Sequence, residues 1–248
     1  MHPHIRRAAA AAFAASALAL VTACGGGAAD EKDAGTSART PAASPSAPEP
    51  TAEPLTDRAA EKVLLADSDL PKGWKRDAEL VIDGSEYADP EDLLPKPADA
   101  TCRPLVELFN TGRIDAGHRA NAQAVFLKGD SLLSQDVSAY SADRAERAMA
   151  ALGEAVDACD AFDSRYGGGK AKVTTKPLEV DEAGDETIGF VFQVAYGDDM
   201  VVDIDFGVVR DGANITNVQN NWIDRRGLKA FEQALAEAAE KLRAAVRD

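Results

Sequence analysis

Gly25 to Pro54 is dominated by Gly, Ala, Ser, Thr and Pro and holds no aromatic residue. Such a stretch cannot bury enough apolar surface to offset the entropy of ordering it. The foldable part of the chain is therefore confined to Thr56–Asp248. The residues before the stretch explain it. His2, His4, Arg6 and Arg7 form a polar, positive start, and Ala8 to Leu20 is an apolar run broken only by Ser16. That run is short of the roughly 20 apolar residues a spanning helix needs, and it reads as a secretory signal. Val21-Thr22-Ala23-Cys24 closes it as a lipobox. The expected organisation is a signal peptide over 1–23, a disordered tether over 24–55 lipidated at Cys24, and one domain over 56–248. The membrane is the first expected partner, reached through the lipid on its outer face.

The whole chain carries 42 acidic against 27 basic residues, a net charge of −15. Removing 1–23 takes away Arg6 and Arg7 and no acid, so the mature protein is more acidic still. A surface of this sign argues against nucleic acid and against direct adsorption to anionic headgroups. Cys24 is accounted for by lipid, which leaves Cys102 and Cys159 as one pair in an oxidising compartment. A Cys102–Cys159 disulfide is the expected state, and two buried free thiols are the alternative.

Thr56 is placed to cap a short helix reaching Ala66. Pro71 and Gly73 bar helix over the next few residues, with Trp74 folding back on the core. Asp99 or Thr101 can cap a second helix that ends at Gly112. Ala122–Leu127 and Leu132–Tyr140 read as strands around Gly129. Ala145, Ala148, Met149, Leu152, Ala155, Val156, Cys159 and Phe162 recur at three- and four-residue spacing, the pattern of one long helix stopping at Gly167–Gly169. Lys172–Val180, Ile188–Tyr196, Met200–Val208 and Ile215–Trp222 come next as strands, and a helix from about Asp224 closes the chain. The class is α+β, a single domain with an antiparallel sheet of about five to six strands and helices packed on one face.

Candidate chemistry is sparse. His118 is the one histidine beyond the signal and is expected to be exposed in a polar loop, and no Gly-x-Ser-x-Gly elbow accompanies it. Asp181, Glu182, Asp185, Glu186, Asp198, Asp199, Asp203 and Asp205 read as solvated loops and a wet strand face, without EF-hand spacing. No catalytic residue, metal site or cofactor is expected. Asn217, Gln219 and Asn221 share one parity of the last strand and Trp222 is next in the chain. Amides offer donors and acceptors together, which suits neutral polar ligands, and the indole offers a stacking surface. These four form the candidate binding cleft.

The opening Leu64-Leu65-x-x-Ser68-Asp69-Leu70-Pro71-x-Gly73-Trp74, Cys102 early in a helix, Cys159 late in the long one, and the terminal meander and helix resemble one known type. It is the extracellular sensor domain of mycobacterial Ser/Thr protein kinase H, with its stand-alone lipoprotein relatives. The resemblance covers roughly Thr56 to Asp248. It implies an actinobacterial cell-envelope lipoprotein, an α+β fold and a cleft for an unidentified ligand. The kinase sensor carries two disulfides, whereas this chain can form one. The leading expectation is a non-enzymatic, membrane-anchored ligand-binding or sensor-like domain. The alternatives are an accessory protein docking on an envelope partner and an acid-based glycan hydrolase.

Overall fold

The computed structural model describes residues 53–80, 93–197, 200–222 and 228–247, all within one compact unit, Pro48–Asp248. The signal, Cys24 and nearly all of the tether lie outside the described residues. Thr56 adopts extended backbone and its hydroxyl accepts from Ala59 N–H at 3.3 Å, opening α1 (Asp57–Val63). A single 3-10 turn follows at Asp67–Asp69 and then a three-residue strand, β1 (Lys75–Asp77). Helix α2 (Arg103–Thr111) starts with Pro104 in its first turn, where a missing N–H costs nothing. It ends on Gly112, whose φ of 74° is open to glycine and strained for other residues.

The chain continues as β2 (Ala120–Lys128), β3 (Ser131–Ala139), α3 (Ala142–Ala158), β4 (Ala161–Tyr166), β5 (Gly169–Pro177), β6 (Glu186–Tyr196), β7 (Met200–Asp211) and β8 (Asn214–Trp222). Helix α4 (Leu228–Arg247) closes it. All neighbouring strands are antiparallel, in the order β1-β2-β3-β8-β7-β6-β5-β4.

This sheet has eight strands, not the five to six expected. Both additions are edges. β1 is too short to show a period, and β4 is hidden inside the apolar spacing attributed to the long helix. That helix stops at Ala158, and Phe162 belongs to β4. Gly167 and Gly168, with φ of 55° and 73°, form the two-residue turn between β4 and β5 rather than a helix end.

The helices also pack on both faces of the sheet, not on one. α1 and α4 cover Phe126, Leu133, Val137, Val209 and Val218, with Phe231 and Leu242 of α4 fully buried among them. α2 and α3 cover Phe190, Phe192, Phe206, Val208 and Ile215, with Leu105, Leu108, Met149 and Leu152 between. On β7 the two sets alternate residue by residue, as the pleat requires. A period-two pattern that is apolar on one parity leaves the other looking wet, yet Asp205 is only 3% exposed and accepts from Asn220 Nδ2 at 3.1 Å.

The Leu64–Trp74 opening has a structural task in this arrangement. Leu65 N–H donates to Gln135 Oε1 at 2.7 Å. The Asp69 carboxylate accepts from Ala66 N–H at 2.8 Å and from Lys241 Nζ of α4 at 2.6 Å. The segment thereby staples α1 to the sheet and to the last helix, and Trp74 is buried as expected.

Candidate functional site

The pairing of β2, β3 and β8 assembles a polar seam on the face covered by α2. Gln123 stands opposite Asp136, and Asp136 opposite Asn217, so the three lie in one row across three strands. Ser134 and Gln219 occupy the next row, and Asn121 and Ser138 the row on the other side. Gly112, capping α2, sits directly over the middle of the seam. Its carbonyl accepts from Asn217 Nδ2 at 3.0 Å, and a side chain there would meet the amides of Gln123 and Gln219 at 3.3 and 3.4 Å.

Asp136 is the charge at the centre. Asn121 Nδ2 and Gln123 Nε2 donate to its Oδ2 at 2.7 and 2.9 Å, and Ser138 Oγ to its Oδ1 at 2.6 Å. Burial pushes its carboxyl up to about 6, against the opposing pull of Ser138, Asn121, Gln123 and the nearby Arg113 charge. The donors of Asn121, Gln123, Ser138 and Asn217 are committed, but several acceptors are not. Gln123 Oε1, Asn217 Oδ1 and Asn221 Oδ1 are buried without a hydrogen-bond partner. A buried acceptor left unpaired costs about 1–3 kcal/mol, and such groups ask for an explanation. Beside the seam, at the outer edge of β2, lies a hollow of about 400 Å³ lined by Glu61, Leu64, Arg76, Asn121, Ala122 and Gln123.

A larger groove, about 860 Å³, runs between α4 and the segment before β6 on the opposite face. Its walls carry Glu179, Asp181, Glu182, Glu232 and Glu240 against Arg243 and Arg247, most of them exposed. Size alone favours this groove. The seam is the better candidate, because solvated charges need no partner and buried amide oxygens do.

Of the residues singled out in the sequence, Asn217 and Gln219 are brought together, but beneath Gly112 rather than in an open cleft, at 2% and 3% exposure. The second helix layer is the reason. Asn221 shares their parity and is half-buried. Trp222 ends β8 opposite Asp203, and its side chain lies outside the described residues. His118 is half-buried in the loop before β2, not exposed. Nearby, Asp115 holds Arg144 at 2.6 Å and its carbonyl accepts from the Tyr140 hydroxyl at 3.1 Å.

Asp136, Gln123, Asn121 and Ser138 do not stand out in the sequence as site residues. A signal existed: polar residues recur with period two in Ser134-x-Asp136-x-Ser138 and in Asn121-x-Gln123. Without the strand pairing, nothing ties them to Asn217, almost a hundred residues away.

Among the described residues no group of three or more His, Cys, Asp or Glu side chains is arranged to hold a metal, and no helix is long and apolar enough to cross a membrane. No family model and no curated protein sequence matches the chain. The fold is similar to that of the extracellular domain of PknH from Mycobacterium tuberculosis, seen in its crystal structure. The TM-score is 0.56 and the identity 12%, over 79% of this chain and 100% of that one. At that identity the likeness is one of fold: an antiparallel sheet with helices, of the kind found in PknH's extracellular domain.

Proposed function

We propose that this protein is a lipid-anchored, extracytoplasmic binding protein whose domain takes a small polar ligand at the seam and has no enzymatic activity. The observation that carries the reading is the set of unpartnered amide oxygens, Gln123 Oε1, Asn217 Oδ1 and Asn221 Oδ1, on the same face as the Asp136 carboxyl. A ligand bearing N–H or O–H donors would satisfy those of Gln123 and Asn217, which share the Asp136 row, and the β2-edge hollow offers it a way in. The lipobox supports the anchor, and the similarity of fold to an extracellular domain fits an address outside the cytoplasm.

A glycosidase needs two carboxyls flanking one bond. Among the described residues the two buried acids, Asp136 and Asp205, lie on opposite faces of the sheet and cannot flank one. This favours binding over hydrolysis.

The reading is tested by thermal shift of the full chain against a panel of small polar compounds: sugars, amino acids, polyols and amides. At least one class is expected to raise the melting temperature of the wild type. In Gln123→Ala, altered at the hollow's mouth where the side chain is only half-buried, that shift is expected to disappear, and the ligand-free melt to fall by several degrees because the bond from Gln123 Nε2 to the Asp136 carboxylate is lost. A ligand whose shift is unchanged in Gln123→Ala would place binding elsewhere and overturn the assignment.

A further inference from the structure

We infer that the outer edge of β4 is a self-association surface that pairs with the same edge of a second copy of this chain. β4 (Ala161–Tyr166) ends the sheet order, so among the described residues one side of it has no strand neighbour. Thr175 N–H of β5 donates to Asp160 C=O. Residues of that parity face β5, and Ala161, Asp163 and Arg165 therefore present their backbone N–H and C=O groups outward. Such an edge is a template for another strand.

Charge selects the partner and the register. An antiparallel two-fold must set outward residues against outward residues. A two-fold at Asp163 puts Asp163 against its own copy, and one at Arg165 puts Arg165 against its copy; both are repulsive. A two-fold at Ser164 sets Asp163 against Arg165 of the second copy, and Arg165 against its Asp163. Each of these is a hydrogen-bonded pair, so the backbone groups of both residues are satisfied as well. The neighbouring strand adds a reason. Within its own sheet Arg165 stands beside Lys170, a like charge, and Asp163 beside Lys172. The two-fold gives Arg165 an acid on its open side and leaves Asp163 between two cations. On the opposite face it sets Phe162 against Tyr166 of the second copy. Both rings already pack against the α2–α3 core, where Tyr166 meets Phe109 edge-on at 6.0 Å. The surface is thus isologous, as a closed dimer requires. The strand has six residues, so the pairing is weak in dilute solution.

The test uses the full chain with Cys24→Ser, so that Ser164→Cys adds the one reactive thiol. Ser164 faces its own copy across the axis as a close, non-hydrogen-bonded pair, a separation a disulfide can bridge. Mild oxidation at high protein concentration is expected to yield a 164–164 linked dimer. Adding Asp163→Arg, or Arg165→Asp, turns both charge pairs repulsive and is expected to lower the yield about tenfold or more. Mixing the two variants is expected to restore it as a mixed dimer, and carrying both changes on one chain to restore it as a homodimer. Both side chains are exposed, and melting curves matching the parent establish that the variants fold. Absence of the linked dimer in the parent, or a yield indifferent to charge reversal, would overturn the proposal; so would capture of a different protein's strand in its place.

Discussion

Reducing the Cys102–Cys159 bridge, or replacing both cysteines by serine, is expected to destabilise the domain by about 4 kcal/mol. The bridge links residues 57 apart in sequence with Cα atoms 5.8 Å apart. In the chain-entropy account a loop of that length is worth about 4 kcal/mol, and for a domain of this size that lowers the melting temperature by roughly 10 °C. The position of the bridge adds to its effect. Cys102 caps the start of α2 and Cys159 the end of α3, at 5% and 3% exposure. It ties α2, which covers the seam, to α3. Differential scanning calorimetry with and without reductant measures the shift. A melt unchanged by full reduction, verified by thiol titration, would contradict the account.

The second large effect is a dependence of stability on pH. The folded-state pKa of Asp136 is raised to about 6 from its ordinary 3.8. The native state therefore binds a proton that the unfolded state has already released, and stability falls as pH rises through that interval. Acidifying from above pH 6 towards pH 4 is expected to stabilise the fold by about 3 kcal/mol, from two pH units at 1.36 kcal/mol each. Asp211, raised by burial and by the Asp185 charge, acts in the same direction.

Asp69 acts oppositely. Although burial opposes it, bonds from Lys241 and Ala66 leave its carboxyl below the usual range. Its contribution is present above the unfolded pKa and is lost as pH falls through the lower folded value, so it weakens the fold only below about pH 4. The two windows do not overlap.

Asp136→Asn isolates the effect. Its carbonyl oxygen can accept from Asn121 and Gln123 while its amide donates to Ser138 Oγ, so the bonds survive and the charge goes. Urea unfolding at pH 7.5 is expected to show the variant more stable than wild type, with the gap closing near pH 4. A gap that stays constant with pH would contradict a buried charge at this position.

Local chemistry makes much of this fold readable in the sequence. Thr56 as a cap, Gly112 as a stop, the turn at Gly129 and the buried Trp74 each follow from one residue's backbone or size. The disulfide is legible because Cys24 falls in the lipobox pattern, which leaves one pair to be read. The features that escape depend on partners. β4 reads as helix because Cys159 and Phe162 continue a helical spacing that Gly167 and Gly168 could equally well end, and only pairing with β5 separates the two readings.

The seam is half visible. The amides of β8 stand out on their own strand, but their setting does not. Asp136 looks like one more polar residue in a weakly alternating strand, and a second helix layer turns a wet face into a buried one. The opening motif that carries the resemblance is explained by Asp69, Lys241 and Gln135 as a staple. That task bears on architecture.

The most direct test is native mass spectrometry of the protein taken from its own host's envelope in mild detergent. A lipid-anchored binding protein is expected there as a chain beginning at Cys24, heavier than the polypeptide by a covalent lipid, with a small non-covalent adduct that is absent from Gln123→Ala. A chain that retains residues 1–23, or a mature chain without lipid and without adduct, would contradict it.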